Sequence, residues 1–402
     1  MADLVVANRS DIVAIADAIR SKTGESGGMT LPQMAGKVSG ISGTEDSELL
    51  NSLIDKTIKS ISNEKINSIE KYTFAYCENL TSVDFPSVTI INENAFTHCK
   101  SLSSFNFSTI TNVGKSAFEN CGSLISIDFP SITTVGNSTF ADCVALKSVN
   151  LPSVTNIEGH AFLRCTALTT IDLPLVETIR YSAFSNCTNM NSINMPLLVE
   201  IGESAFNNCG KLTDVNFPNV VSVGANAFDT CIKLTSADFS SVTSLGENAF
   251  LGCRNLNELI LRTNTVVSLK SSNILKGTKI EKGSGYIYVP ENLVDSYKTN
   301  KYWSSYTNQI KPIGWSEDSI EIVFYIVCDD LGIQETRVSN TSTWASYIDS
   351  NNDSHLTYDS YDGGNVYYDG YMIYENDTMA YPDFNDNIIN GATYVVESGG
   401  PC

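Results

Sequence analysis

Histidine is scarce in this chain of 402 residues: there are three, His98, His160 and His355. No H-E-x-x-H, G-x-S-x-G or glycine-rich phosphate loop occurs, so the usual signatures of metal-assisted hydrolysis, serine hydrolysis and nucleotide binding are missing. Basic residues are also few. Lys and Arg number 25 against 45 Asp and Glu, a net charge of −20. Nucleic acid and anionic lipid surfaces both demand a positive face, so neither is an expected partner. There is no run of about 18 apolar residues, and hence no expected membrane insertion. The opening MADLVVANRSDIVAIADAIRSK lacks a basic stretch ahead of an apolar one. No signal peptide is expected, which points to assembly in the cytoplasm. A non-catalytic protein without cofactor or metal is the reading these absences favour.

What charge there is lies unevenly. Residues 316–402 hold sixteen Asp or Glu against Arg337 alone, and ten of the eighteen tyrosines. That shift in composition marks a separate domain.

The dominant feature is a repeat. Cys77, Cys99, Cys121, Cys143, Cys165, Cys187, Cys209, Cys231 and Cys253 fall at intervals of 22 residues. With each Cys as position 0, position 3 is apolar, from Leu80 and Leu102 to Leu256. Positions 6 and 8 are apolar as well, as in Val83 and Phe85 or Ile127 and Phe129. A two-residue period is that of a strand with one buried face. A proline often follows, as at Pro86, Pro130 and Pro152, and ends the strand because it cannot donate to a ladder. Val88 with Ile91, or Val154 with Ile157, then begins a return path. The unit closes on Ala-Phe-x-x-Cys, read as a helical turn, with Ala95, Phe96 and Cys99 at i, i+1 and i+4. A 22-residue unit cannot bury its apolar face alone. Stacked units can, each stabilised by its neighbours. Nine units at the ~4.8 Å spacing of adjacent strands would form a parallel sheet roughly 40 Å long, with curvature expected from faces of unequal width.

This L-x-x-[VI]-x-[FL]-P…[IV]-G-x-x-A-F-x-x-C unit resembles the BspA-type leucine-rich repeat. The resemblance implies an α/β solenoid, a leucine-rich-repeat stack of 22-residue units with a parallel sheet. The nine cysteines form a row. Side chains pointing the same way at strand spacing fit disulfide geometry poorly, and a row does not converge as a zinc site requires. They are expected to pack as small buried hydrophobes, which suits a reducing site of folding. Cys328 and Cys402 stand outside the row.

Ends of a solenoid need caps. Upstream, Leu53, Ile54, Ile58, Ile61, Ile66 and Ile69 suggest a degenerate first coil. Downstream, Asn264 interrupts the pattern, Tyr286–Val289 reads as a strand, and 291–310 reads as an amphipathic helix closing the stack. The organisation expected is therefore a small N-terminal helical module over 1–41, a solenoid with caps over 42–313 (regular repeats 70–261, C-terminal cap 262–313), and a small C-terminal α+β domain over 316–402. In the first module Ser10 can cap a helix bearing Ile12, Ile15, Ala16 and Ile19. In the last, Thr343–Ile348 reads as a short helix among strands, with turn signals at Asp362-Gly363 and Asp369-Gly370. Asp359, Asp362 and Asn365 do not have the spacing of an EF-hand loop.

The segment YIYVPENLVDSYKTNKYWSSYTNQIKPI resembles the terminal cap of leucine-rich-repeat proteins of phages and prophages in Gram-positive gut bacteria. IADAIRSKTGESGGMTLPQMAGKVSGI resembles a short module of tail-associated phage proteins, and 316–402 more weakly resembles a C-terminal domain of phage structural proteins. These resemblances imply a virion protein of the phage tail, a tail fibre or baseplate component with a host-adhesion or receptor-binding role. Other tail or baseplate subunits would be held through residues 1–41, and a host-surface glycan or protein would be the partner. A homo-oligomer is compatible with this. A BspA-like bacterial surface adhesin or secreted interaction protein is the alternative, and a purely architectural tail subunit a third.

The candidate binding face follows from strand alternation, which turns positions 5 and 7 away from the core. Position 7 reads Asp84, Asn106, Asp128, Asn150, Asp172, Asn194, Asn216 and Asp238. No two Asp are adjacent, and like charges directly opposite each other would destabilise the sheet. Position 5 is nearly all Ser or Thr, with Asp214 the exception. The face, expected to be concave, could receive a glycan or peptide, or could simply be a solvated sheet surface, since this row lacks aromatics for stacking on sugars. A second candidate surface is the tail domain with Tyr358, Tyr361, Tyr367 and Tyr371, tyrosine supplying amphipathic contact area at low entropic cost.

Overall fold

The structure, a computed structural model, describes residues 57–315 apart from 65 and 108, together with the backbone strands within 321–398. The expected N-terminal module over 1–41, Leu53 and Ile54, and the helix expected at Thr343–Ile348 lie outside the described residues. The chain divides into two units, before and after residue 314.

The first unit is a parallel β-solenoid of 22-residue coils. Each coil contributes a face strand at positions 5–7. Ser82–Asp84 pairs in parallel register with Ser104–Asn106, so that Val83 faces Phe105 and Asp84 faces Asn106. The step of 22 recurs in Thr170–Asp172 with Ser192–Asn194 and in Asp214–Phe217 with Ser236–Phe239. A two-residue return strand forms a second parallel ladder, as in Asn156–Ile157 between Thr134–Val135 and Thr178–Ile179.

The third side of the coil corrects the sequence reading. Ala-Phe-x-x-Cys is not a helical turn. In the coil of Cys99, Thr97 and Cys99 donate back to Asn94 and Phe96, while the intervening N–H groups of Asn94, Phe96 and His98 donate to Lys115, Ala117 and Glu119 of the next coil at 2.7–2.9 Å. Half the backbone donors of this stretch are satisfied locally and half by the neighbour, so none of its N–H groups is orphaned. The cause is conformational: Asn94 (φ 56°) and His98 (φ 61°) are left-handed, and a helix cannot pass through them. Every regular coil has this pair, at positions −5 and −1.

The core lies between the three sides. Phe74, Phe96, Phe118 and their successors to Phe250 form a buried stack with ring centroids 5.1–5.6 Å apart and planes within 18° of parallel. Parallel rings at this spacing form the offset stacks that aromatic quadrupoles favour. Leu80, Leu102 and the other residues at position 3 are also fully buried.

The first and last described coils depart from the consensus. Upstream, Ser60–Ser62 pairs with Ser82–Asp84 over buried Ile58, Ile61, Ile66 and Ile69. Downstream, the expected single helix over 291–310 is broken up. The chain makes a 3-10 turn at Glu291–Leu293, a helix of six residues at Val294–Thr299, a second 3-10 turn at Ser304–Tyr306 and a final strand at Ile310–Pro312. Asn300 ends the helix in extended backbone, and its side-chain oxygen takes the N–H of Tyr302, the competition by which Asn disfavours helix interiors. Trp303 and Tyr297 then pin Val267. The indole donates to its carbonyl at 2.7 Å, and its N–H donates to the Tyr297 hydroxyl at 3.0 Å.

The second unit is a mixed sheet. Glu321–Cys328 lies between antiparallel Gly332–Ser339 and parallel Thr393–Ser398. Tyr371–Glu375 then pairs antiparallel with both Thr393–Ser398 and Thr378–Ala380. Tyr358–Asp362 and Asn365–Tyr368 form a separate antiparallel pair, on either side of the predicted Asp-Gly turn.

Candidate functional site: the outer face of the strand ladder

Position 7 is a continuous row on the outer face. Asp84, Asn106, Asp128, Asn150, Asp172, Asn194 and Asn216 are exposed and Asp238 is half-buried. The residues are not independent. The amides of Asn106, Asn150 and Asn194 each donate to the carboxylate of the preceding Asp (Asp84, Asp128 and Asp172) at 2.8 Å. Alternation thus does more than separate like charges: it joins neighbouring coils in donor–acceptor pairs. At the far end Asp238 receives two N–H groups of Arg262, at 3.0 Å from Nε and 2.8 Å from an Nη, the bidentate geometry that favours Arg over Lys.

Beyond Asp238 the face changes character, which the sequence reading missed. Glu258–Leu261 pairs with Tyr286–Val289, so Ile260 lies beside Tyr288 and Glu258 beside Tyr286. Tyr288 in turn lies beside Lys311. The two tyrosine rings are 6.2 Å apart, and the Lys311 ammonium is 5.9 Å from the centre of the Tyr286 ring. Aromatics absent from the regular row therefore stand at its end. The available signal was Tyr286-Ile287-Tyr288 itself, a strand whose alternate positions had to fall on the outer face.

The nine repeat cysteines are buried thiols, none of them in a disulfide. Each thiol from Cys99 to Cys253 donates to the carbonyl of the Phe at position −3 of the preceding coil, at 3.0–3.3 Å. Burial pushes Cys143 and Cys187 up from 9.0 to about 12, so these thiols are poor nucleophiles at neutral pH. His98 stacks on Tyr76 at 4.6 Å, and its Nδ1 accepts from the Asn120 amide at 3.1 Å. His160 meets Tyr181 edge-on at 4.8 Å. Both histidines sit in the left-handed rows of the turn side, away from the strand face. Among the described residues no cluster of His, Cys, Asp and Glu is arranged to hold a metal ion.

In the tail unit Tyr358 and Tyr361 fall on Tyr358–Asp362, Tyr367 on Asn365–Tyr368 and Tyr371 on Tyr371–Glu375. Their side chains lie outside the described residues.

The family profile described as "BspA type Leucine rich repeat region" matches residues 67–191 and 177–295 in six copies, more than half the chain. The chain belongs to the BspA-type leucine-rich repeat family. Proteins of this family are typically non-catalytic interaction scaffolds. The BspA-type repeats of this chain are also similar to those of solved structures. A leucine-rich repeat protein of T. pallidum is 28% identical, over 38% of this chain and 77% of that one, with a TM-score of 0.36. A leucine rich cell surface protein of Faecalibacterium prausnitzii is 22% identical, over 64% and 80%, with a TM-score of 0.32. A leucine-rich repeat protein of Eubacterium ventriosum is 17% identical, over 56% and 85%, with a TM-score of 0.35. No curated protein matches the sequence.

Proposed function

We propose that this protein is a non-catalytic adhesion scaffold that presents the outer face of its strand ladder to a host-surface glycan or protein. The observation that carries this reading is the change along one face, from hydrogen-bonded Asp–Asn pairs to Tyr286, Tyr288 and Lys311. The paired rows satisfy their own polar groups. Tyr, by contrast, is among the residues that dominate binding interfaces.

Within this reading the particle-borne form, a phage tail fibre or baseplate protein, rests on the resemblances of the flanking segments. Residues 1–41 would attach to other tail subunits and the solenoid would project the binding face. The bacterial surface adhesin rests on the repeat family, which serves either setting. A purely architectural subunit draws support from the mutual satisfaction of Asp84 with Asn106 and its successors, which leaves that stretch little to offer a ligand.

Immunogold microscopy with antibody against residues 316–402, on cells and particles of the source, separates the settings. Gold at tail tips or baseplates supports the virion protein; gold on envelopes with bare particles supports the adhesin. Binding of the purified full chain to host cells tests adhesion itself, and its absence would leave the architectural subunit.

A further inference from the structure

The solenoid is not uniform in charge along its axis. Residues 57–253 hold ten Lys or Arg against seventeen Asp or Glu, whereas residues 254–313 hold nine against four. The positive end coincides with the aromatic end of the strand face. There Ile260, Tyr288 and Lys311 continue the position 7 row in register, and Arg262 leans back over Asp238. Lys311 is lowered from its ordinary value by burial and by the neighbouring Lys298. The Lys311 ammonium lies 5.9 Å from the centre of the Tyr286 ring, so an anion reaching it would also meet an aromatic surface.

The chemistry of an occupant follows. Tyrosine rings present flat apolar faces with a polar tip, suited to the C–H face of a pyranose. Glu258, beside Tyr286 on the adjoining strand, offers an acceptor to ring hydroxyls. Lys311 supplies positive charge, while that of Arg262 is balanced by Asp238. An extended peptide adding as a strand is disfavoured, because the terminal strand Ile310–Pro312 ends in a proline that cannot donate to a ladder. We propose that Tyr286, Tyr288 and Lys311 form a binding patch for an acidic glycan, a sugar carrying carboxylate, sulfate or phosphate. This rests on the adhesion reading above and adds the ligand class and the site.

The test is an array of uronate, sialylated, sulfated and phosphorylated oligosaccharides beside their neutral counterparts, probed with the full chain. Retention of acidic glycans is expected, falling at least ~10-fold for Tyr288→Ala and for Lys311→Gln, the loss typical of one interface anchor. Lys100→Gln, which removes an exposed cation paired with Glu78 on a distant coil, is expected to leave retention unchanged. Circular dichroism melts of each variant separate lost binding from lost fold. Retention of neutral and acidic sugars alike, equal losses for all three variants, or no retention would overturn the patch. Host-cell binding by the same samples keeps the two readings apart. Cells bound equally by wild type and Tyr288→Ala sink the patch and leave the scaffold standing; no binding of cells by wild type sinks the scaffold.

Discussion

The thiol of Cys165 donates to the carbonyl of Phe140 in the preceding coil, 3.2 Å away. The position −3 carbonyl has no backbone partner in its own coil beyond the Cys three residues on, so the thiol serves as a second donor to a buried acceptor while its sulfur fills core volume. Replacing it with alanine removes both. Cys165→Ala is expected to destabilise the solenoid by about 1–2 kcal/mol, from a small cavity and one lost buried hydrogen bond. Urea titration followed by circular dichroism would measure this; an unchanged midpoint would show the bond to be without weight. Because each coil leans on its neighbours, hydrogen exchange should rise first in the coils flanking Cys165.

The same burial sets an alkaline limit. Cys143 and Cys187 are raised to about 12 in the folded chain, against an ordinary 9.0. Below pH 9 both states keep the proton and the contribution is constant. Between 9 and about 12 the unfolded chain loses protons that the folded chain retains, so stability falls as pH rises. Thermal melts should be steady from pH 7 to 8.5 and decline above 9. Iodoacetamide at pH 8 should leave the repeat thiols unmodified until denaturant is added. Rapid native alkylation of Cys143 would contradict the buried ladder.

Asn150 donates to Asp128 at 2.8 Å. Asn150→Asp would set two carboxylates opposite each other across a parallel pair, replacing a charge-assisted bond with repulsion. A loss of about 0.5–1 kcal/mol is expected, shrinking as salt rises because the pair is exposed. Melts at 20 mM and 500 mM NaCl would check it; a loss independent of salt would point to geometry instead of charge.

Thr230 has φ 58°, left-handed backbone that a β-branched residue adopts at a cost. Equivalent positions hold Asn120, Asn186 and Asn208, and Gly252 takes the place in the ninth coil. Thr230→Asn is expected to stabilise the protein by about 0.5–1 kcal/mol, raising the melting midpoint by about 2 °C. A lower midpoint would mean that the contact of Thr230 with Asp229 outweighs the strain.

Much of the solenoid was legible from the chain alone. A 22-residue period in Cys and Phe, with alternation at positions 6 and 8, sufficed for the parallel stack, its register and the residues of its core, because those follow from which side chains must leave water. The row from Asp84 to Asp238 was legible for the same reason, alternation placing it outside. The backbone of the turn side was not. Ala-Phe-x-x-Cys has helical spacing, and only the neighbouring coil, receiving every second N–H, makes two left-handed residues per turn tolerable. Asn, Ser and His at position −5 and Asn, Asp and Gly at position −1 were the trace of this. The cap escaped in part for a related reason: its aromatics have helical spacing, yet Asn300 and the buried contacts of Trp303 with Val267 divide it into short pieces. The patch of Tyr286, Tyr288 and Lys311 also needed the fold. Lys311 lies 23 and 25 residues beyond the two tyrosines and becomes their neighbour only because the last strands continue the register of the repeats. Local pattern determined what is buried; tertiary pairing decided which backbone groups meet and which exposed side chains share a surface, since both depend on contacts with the next coil.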